Sequence, residues 1–366
     1  MSAARRERMD RVRAAMASAG VDCLLLSLGA DLPWLTGYTA MPLERLTMLV
    51  LPADGKATLV VPRLEAPRVE EDPASFDLRP WDETQNPVEI VTRLVGSRAH
   101  LAIGDRTWAT FLLQLQAFLP GATWRNASSV TAPLRAVKDA AEVAALAAAS
   151  AAADRVAAAL ISGDIALVGR TEAAVSEEIG RRLVAEGHQR VNFAIVGSGP
   201  NSASPHHDAG GRVIGAREAV VCDFGGTMDG YCSDITRTVF TGDPPAEFVA
   251  LYQVLERAQA AAVAAASVGV ACEQVDRTAR DIIDEAGYGQ YFIHRTGHGI
   301  GLEEHEDPYI VGGNGSPLVP GNAFSVEPGI YLPGRYGARI EDIVVASADG
   351  PRALNVVDHG LAVVGA

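Results

Sequence analysis

The sequence predicts a chain of two domains: an α/β N-terminal domain over residues 1–134 and an α+β domain over residues 135–366 that is internally duplicated. The first observation behind this prediction is the length of 366 residues, which exceeds what one hydrophobic core usually holds. The second is a segment at 169–187 that recurs at 269–287. The third is that an apolar hairpin carrying two acidic residues follows each copy.

The composition limits the classes of protein to which this chain can belong. With 48% hydrophobic and 21% charged residues, the chain is typical of soluble globular proteins. A formal net charge of −14 and a pI near 5.0 argue against nucleic acid or an anionic membrane as the main partner. Residues 1–20 contain no apolar signal core, and we expect no later run to approach the roughly 18 apolar residues of a membrane span. The four cysteines form no CxxC pair, so we expect a cytoplasmic protein in a reducing compartment.

Alternating helix and strand patterns make up the N-terminal domain. Met9, Val12 and Met16 have helical spacing and predict an opening helix that ends at Gly20. The further predicted elements are strands at 21–27, 46–51, 57–61 and 100–103 and helices at 31–36 and 108–118. Because this domain holds one histidine, His100, and no cluster of metal-type ligands, we expect it to be a scaffold or lid that helps to select substrate length.

The domain boundary is predicted near residue 135, just before a long alanine-rich helix. Asp139 and Glu142 match a capping box that would start this helix, which continues to about residue 160. Leu146, Val156 and Leu160 keep an apolar stripe along the alanines. We therefore interpret the segment as a packed helix and not as a disordered low-complexity region.

An internal repeat organises the second domain. The two segments align without gaps and match Gly169 with Gly269, Val175 with Val275, Leu183 with Ile283, and Gly187 with Gly287. A long alanine-rich helix precedes each copy, and a strand, a histidine-bearing loop and an acidic hairpin follow it. Because the order of elements repeats as well as the residues, duplication is favoured over a chance resemblance between two amphipathic helices. It predicts a pseudo-twofold domain with a site at its centre.

The first acidic hairpin spans residues 220–238. Asp223 follows an apolar run, where an unpaired charge would be costly. A two-residue turn at 228–229 or 229–230 would place Asp223 and Asp234 on one face of the sheet, opposite or diagonal. Two solvated aspartates on an edge hairpin are the alternative. Cys222 and Cys232 flank the pair and are interpreted as small buried hydrophobic residues, not as thiolate ligands.

The second acidic hairpin, residues 323–345, repeats this arrangement. Glu327 is predicted to lie in an apolar strand and Glu341 in the returning strand, with a turn around 333–337 between them. Four converging carboxylates would repel one another unless metal ions or protons offset their charge.

The histidines favour metal ions over protons. Five of the eight fall in two stretches, 204–208 and 294–306. His298 lies between two glycines, so that no neighbouring side chain blocks approach to its imidazole, although a lone histidine is more often a satisfied core residue. One imidazole with four carboxylates suits two divalent ions, Mn²⁺ first, with Co²⁺ or Zn²⁺ as alternatives. Two such ions would activate water and polarise a carbonyl or phosphoryl oxygen, so the set predicts hydrolysis.

Five motifs in this order resemble those of the Xaa-Pro peptidases, the prolidase and aminopeptidase P branch of the pita-bread metallopeptidases. They are GSGPNSASPHH, DFGGTMDGYCSDITRT, HRTGHGIGLEEHE, EPGIY and GARIED. The likeness covers about residues 135–366 closely, and the preceding part resembles the creatinase-type N-terminal domain of these enzymes. It implies a homodimer with two divalent metal ions that cleaves the Xaa-Pro bond of short proline-containing peptides.

The resemblance also assigns the metal ligands. Matched residue to residue, they are Asp223, Asp234, His298, Glu327 and Glu341. Asp234 and Glu341 would bridge the two ions, and Glu327 would be the general base beside the attacking water.

Further residues around the ligands acquire roles by the same matching. His305 and His206 would stabilise the tetrahedral intermediate and protonate the leaving nitrogen. His294 would line the proline pocket, and Arg339 would orient Glu341 or the substrate. Ordinary structural hydrogen bonding is the alternative role for each of them.

The sequence departs from the family at one position. Many prolidases carry an arginine a few residues after the pair that here is His305-Glu306, and it grips the C-terminal carboxylate of the dipeptide, whereas Tyr309 stands at this place. Arg45 of the N-terminal domain is a candidate substitute, and a plain surface charge is the alternative. The preference between dipeptides and longer peptides is therefore open.

Four alternative functions follow from the same motifs. An aminopeptidase P would act mainly on longer Xaa-Pro peptides. A methionine aminopeptidase-like enzyme would share the five ligands but fits the N-terminal domain poorly. A creatinase-like metal-free hydrolase, or a non-catalytic binding module on this fold, would be expected to have lost ligands that are intact here.

Overall fold

The computed structural model describes residues 2–365 and divides the chain into two compact units, Met1–Arg135 and Ala136–Ala366. The strands of the first unit are β1 (Cys23–Leu26), β2 (Met48–Pro52), β3 (Ala57–Pro62), β4 (Phe76–Trp81), β5 (His100–Ile103) and β6 (Thr123–Asn126). Its helices are α1 (Ser2–Ala19), α2 (Asp31–Thr36), α3 (Pro87–Val95), α4 (Ala109–Phe118) and α5 (Ser128–Arg135). The strands form one mixed sheet in the order β4-β3-β2-β1-β5-β6, in which β1 runs antiparallel to β2 and parallel to β5.

Each helix and strand predicted for the first unit is present. Met9, Val12 and Met16 are buried on one face of α1, which ends at Gly20 with φ of 63°. The elements β4, α3, β6 and α5 were not predicted. The start of α3 carried a signal that could have been used, because Asn86 caps it by accepting a hydrogen bond from the Val88 amide at 3.0 Å.

Residues 136–365, the described part of the second unit, form four long helices and three sheets. The helices are α6 (Ala140–Ile161), α7 (Glu172–Ala185), α8 (Ala246–Ala265) and α9 (Cys272–Glu285). The strands are β7 (Arg190–Ser198), β8 (Ala219–Met228), β9 (Tyr231–Cys232), β10 (Ile235–Thr241), β11 (Gly297–Gly299), β12 (Glu306–Ile310), β13 (Ala323–Val326), β14 (Gly329–Leu332), β15 (Tyr336–Arg339), β16 (Asp342–Ser347), β17 (Gly350–Ala353) and β18 (Ala362–Val364). The sheet orders are β18-β10-β8-β7 with β9 paired to β8, β12-β11-β13-β16-β17, and β14-β15.

The predicted duplication is visible in the packing of the second unit. Helices α6 and α7 pack on the sheet of β8 and β10, and α8 and α9 pack on the sheet of β13 and β16. Helices α7 and α9 begin and end at positions 100 residues apart, and Val175 and Val275 are both fully buried. The fold class expected from the sequence, an α/β domain followed by a duplicated α+β domain, is confirmed.

Helix α6 corrects one expectation. Its capping box is confirmed, because the Asp139 side chain accepts from the amide of Glu142 and the Glu142 side chain accepts from the amide of Asp139. The helix is nevertheless long and apolar enough to cross a membrane by length and composition, so the expectation of no such run was wrong. Alanines make the run apolar, and Val156 and Leu160 face the core of the unit. We therefore describe α6 as a core helix.

Candidate functional site

Strand β8 and the residue directly before β10 place two aspartates on one face of the first sheet. Asp229 and Gly230 form the turn of this hairpin with φ of 50° and 86°, which matches the twist of the strands. The register pairs Asp223 with Thr236, and Asp234 lies two residues before Thr236, so the two carboxylates are diagonal neighbours. They are 8% and 4% exposed. The structure thus has the second of the two turns predicted from the sequence.

The second pair of acids lies on one antiparallel hairpin, as predicted, because the β13–β16 and β14–β15 pairings share one register with a turn at 333–335. Strand β13 pairs with β16 in a register that sets Val326 opposite Asp342. The ladder of this hairpin is interrupted at the acids: Glu327 follows β13, Glu341 precedes β16, and β14 and β15 form a two-stranded ribbon at the outer end of the hairpin. The physical reason is Pro328, which has no amide hydrogen with which to continue the ladder.

His298 in β11 lies between the two pairs of acids. Its Nε2 atom is 3.7 Å from Asp234 Oδ2 and 3.2 Å from Glu327 Oε1. Single ligand atoms of Asp234, His298 and Glu341 lie within 4.8 Å of one another, close enough to hold one ion. These four residues and Asp223 line the same cavity. The structure therefore brings together all five side chains that the resemblance assigns to metal.

Burial and mutual repulsion shift the pKa values of the acids in this cluster. Burial, followed by repulsion from the other acids, raises the pKa of Asp234 and Glu341 well above its usual range, and burial also raises the pKa of Asp223. Burial acts in the same direction on Glu327, but the hydrogen bond to His298 and its charge outweigh it and lower the pKa of Glu327 to about 2. Within residues 2–365, buried Asp223 Oδ1 and Asp234 Oδ1 accept no hydrogen bond. Divalent cations fit this set of oxygen atoms with one imidazole.

Thr236 and Tyr331 support the ligands and were missed in the sequence. Thr236 Oγ1 donates to Glu341 Oε2 at 2.7 Å and accepts from Arg339 Nε at 3.1 Å. Arg339 also donates to Asp223 Oδ2 at 2.5 Å and to Tyr331 Oη at 2.7 Å. Arg339 therefore contacts Asp223 directly and Glu341 through Thr236, and its expected role in orienting Glu341 or the substrate stays a prediction. The position of Thr236 on the face of Asp234, two residues away, was the available signal.

A cavity of about 800 Å³ opens in front of the ligands. The ring of His305 lies 3.9 Å from the ring of His298, and His294 Nε2 is 2.9 Å from Tyr331 Oη. His206 is exposed on the wall. The remaining lining residues are Phe193, Ile195, Ser204, Pro205, His207, Asp208, Ile293, Arg295, Glu304 and Arg339. The three predicted histidines thus face the same space as the ligands.

Three other predicted positions lie in different surroundings. Arg45 belongs to the first unit, where its guanidinium donates to Glu44 and Glu83 and is occupied by surface acids. The thiols of Cys222 and Cys232 are buried, which raises the pKa of both, that of Cys232 to about 12. Protonated thiols in apolar surroundings are poor metal ligands.

Known proteins share this architecture. Residues 136–348 match the model described as Metallopeptidase family M24, and residues 8–137 match the Creatinase/Prolidase N-terminal domain. Over 362 residues, 98% of this chain and 96% of the relative, the chain is 46% identical to "Probable dipeptidase PepE" of Mycobacterium tuberculosis. It is 34% identical over 367 residues to "Xaa-Pro dipeptidase" of Lactobacillus helveticus, covering 97% and 98% of the two chains. A crystal structure of prolidase from Thermococcus sibiricus matches with a TM-score of 0.92 and 36% identity over 98% of each chain.

These matches agree with the geometry of the second unit and with the motifs in its sequence. They cover both units and nearly the whole length of the relatives. The expected family, fold class and enzyme class are confirmed. The chain belongs to metallopeptidase family M24, and its catalytic domain follows a creatinase/prolidase N-terminal domain.

Proposed function

We propose that this metallopeptidase is an Xaa-Pro dipeptidase that hydrolyses the bond before proline in dipeptides and short peptides. The observation that carries the proposal is the convergence of five ligand-type side chains on one cavity, with two buried carboxylate oxygens that accept no hydrogen bond from the described residues. The names of the relatives support the substrate class. An aminopeptidase P activity on longer peptides is the second candidate, favoured by Tyr309 in place of an arginine.

Two divalent metal ions, Mn²⁺ first, would be held in this site. The residues that would hold them are Asp223, Asp234, His298, Glu327 and Glu341. When bound, such ions polarise a carbonyl as Lewis acids and lower the pKa of a water molecule toward neutral pH. An Xaa-Pro bond is a tertiary amide without an N–H, which makes a pocket shaped for the ring a plausible basis of selection.

The side chains of the protein would orient the reacting groups and transfer protons. Glu327 accepts the proton of the attacking water at its carboxylate, which Ser325 Oγ orients by donating to Oε1 at 3.0 Å. His305 and His206, on the cavity wall, bind the developing oxyanion and pass a proton to the leaving proline nitrogen. His294, fixed by its contact with Tyr331 and lining the same cavity as the apolar Phe193 and Ile195, forms part of the wall for the proline ring.

A metal-dependent assay tests the proposal. The protein is stripped with chelator, reloaded with Mn²⁺, and assayed on Xaa-Pro peptides of two, three and five residues, with Ala-Ala peptides of the same lengths as substrate controls. We expect Mn²⁺-dependent release of the first residue from the proline peptides only, fastest for the dipeptide. Asp234→Asn is the matched inactive control. No hydrolysis with Mn²⁺, Co²⁺ or Zn²⁺ would overturn the proposal, and faster cleavage of the longest peptide would favour aminopeptidase P.

We also propose that the enzyme works as a homodimer in the cytoplasm. The four cysteines are all free and buried, which fits a reducing compartment. The dimer rests on the family resemblance, and sedimentation of the purified protein tests it.

A further inference from the structure

Arg295 is a cavity residue to which the motifs gave no role. It lines the cavity directly after His294 in the chain. Its guanidinium lies over the ring of Tyr309, 4.5 Å from the centroid, and its Nη2 is 3.3 Å from His305 Nδ1. An arginine held on an aromatic face has lost part of its side-chain freedom before any ligand arrives.

The two arginines of the cavity differ in their partners. Arg339 is 2% exposed, and its guanidinium is taken up by Asp223, Tyr331 and a backbone carbonyl. Arg295 is partly exposed, and within residues 2–365 no carboxylate oxygen lies within 4.0 Å of its guanidinium nitrogens. Arg295 is therefore the guanidinium of this cavity that can form a bidentate pair with an incoming acid.

The acidic residues around Arg295 make it the favourable binding position for a negative group of the substrate. The cavity wall carries Asp208 and Glu304 in addition to the carboxylates assigned to metal. A negative group on a substrate is repelled by these acids, and Arg295 offers it a favourable position. The negative group of the substrate is thereby directed to one side of the cavity.

Arg295 also lies close to the ligand cluster. The ring of His305 contacts Arg295 on one side and lies 3.9 Å from the ring of His298 on the other. In an Xaa-Pro dipeptide, the carboxylate carbon is two covalent bonds, about 2.5 Å, from the leaving nitrogen. When Arg295 binds the carboxylate of a dipeptide next to His305, the scissile bond of the same dipeptide therefore lies close to the ligand cluster.

We propose that Arg295 binds the free C-terminal carboxylate of the substrate and so determines a preference for dipeptides. The inference rests on the proposed Xaa-Pro activity and deepens it by naming the residue that distinguishes dipeptides from longer peptides. Tyr309 holds the guanidinium plane in place, and Arg295 supplies the cation that Tyr309 cannot.

Paired substrates test this in the Mn²⁺-loaded enzyme. The first pair, Ala-Pro and Ala-Pro amide, differs only in the C-terminal charge. The second pair, Asp-Pro amide and Asn-Pro amide, tests an acidic side chain as the source of the carboxylate. For the wild type we expect kcat/KM to be roughly 10- to 100-fold higher for Ala-Pro than for its amide, because an ion-paired hydrogen bond is lost in the amide. We expect no such preference within the second pair.

Variants assign that preference to a residue. Arg295→Gln should remove the preference for Ala-Pro mainly through KM, and Arg295→Lys should retain part of it because the charge remains without the fork. Arg277→Gln changes an exposed arginine of α9 outside the cavity and should leave the ratio unchanged. Calorimetry gives a readout without turnover: Arg295→Gln should weaken the binding of L-proline about tenfold or more and leave the binding of L-prolinamide unchanged.

Several results would overturn the assignment. They are equal cleavage of Ala-Pro and its amide by the wild type, an acid-to-amide ratio unchanged in Arg295→Gln, or an Arg295-dependent preference for Asp-Pro amide alone. The last result would place an acidic side chain, not the C-terminus, at Arg295. Failure of the proposed function is distinguishable, because the wild type would then cleave none of the four proline substrates.

Discussion

The two halves of the catalytic unit share a plan but present their acids differently. In the first half, Asp223 lies in β8 and Asp234 directly precedes β10, and beyond these acids the hairpin has only two further pairs, between β8 and β9, before its turn. In the second half, the ladder between β13 and β16 stops at Glu327 and Glu341, and the same register continues beyond them through the four pairs of the β14–β15 ribbon. The halves therefore agree in placing two acids each and differ in what lies between those acids.

The difference separates two tasks. The first hairpin supplies two ligands and little else from its short outer end. The ribbon of the second half carries Tyr331 and Arg339, and Arg339 reaches back to the carboxylate of Asp223 in the first half. The duplicated hairpins thus provide the four acidic ligands, and the longer outer end of the second hairpin provides the residues that orient them.

The largest expected effect is at an acid of the second half. We expect Glu327→Gln to lower kcat by about 10²–10⁴-fold because a neutral amide cannot accept the proton of the attacking water. Metal content, measured by elemental analysis, should remain at the wild-type level, since an amide oxygen can still coordinate. Substantial remaining turnover would remove the role of Glu327 as general base.

Matched core residues test the equivalence of the halves. Leu183 in α7 and Ile283 in α9 are both fully buried and occupy the same place in the repeat. We expect Leu183→Ala and Ile283→Ala each to lower the free energy of unfolding by about 2–5 kcal/mol, with kcat per folded molecule unchanged. Chemical denaturation measures this. A loss confined to one variant would break the structural equivalence of the two helices.

Metal binding tests whether the halves contribute equally to the centre. At free Mn²⁺ 100-fold above its Kd, each bound ion should stabilise the wild type by about 2.7 kcal/mol. Asp234→Asn and Glu341→Gln each replace a carboxylate proposed to serve both ions with a neutral amide whose single oxygen can serve only one, and both should lose most of this increment.

The chelated proteins provide the control for that measurement. Without metal, each variant should be at least as stable as the chelated wild type, because it removes one of the mutually repelling charges. Denaturant midpoints with and without Mn²⁺ measure both effects. A variant that keeps the full Mn²⁺ increment is not missing a ligand.

A smaller effect is expected in the ribbon. Tyr331→Phe removes the acceptor of Arg339 Nη1 and the partner of His294, at a cost of about 1–3 kcal/mol for a buried group left unpaired. We expect kcat/KM to fall about tenfold with metal content unchanged. Tyr336→Phe, on the same ribbon but bonded to the exposed side chains of Arg335 and Glu247, is the matched control. An equal loss in both variants would mean that the ribbon is merely destabilised.

The sequence predicted the hairpins better than the point at which a ladder is interrupted. The alanine-rich helices, the matched glycines and both hairpins followed from periodicity and turn chemistry, which act locally. The interruption at Glu327 and Glu341 was not predicted, because the residues on both sides of it are apolar and strand-like. Pro328 was the local signal that the ladder stops.

The prediction of the site was limited in the same way. Spacing and family resemblance predicted the acids and His298 as metal ligands, and the structure brings them to one cavity. Thr236, Tyr331 and Arg295 were not found, because a threonine, a tyrosine and an arginine have many ordinary roles. Only the fold shows that Thr236 contacts Glu341 across 105 residues of sequence.

Strand β18 has a consequence for the order of assembly during synthesis. It pairs with β10 in the sheet that carries Asp223 and Asp234, although the whole second half of the unit separates the two strands along the chain. Ribosomes deliver residues from the N-terminus at roughly 5–20 per second. The first half thus cannot complete its sheet while it emerges, and it acquires its edge strand only after the second half has been translated. The catalytic unit must therefore close as a whole, after residues 362–364 have been made.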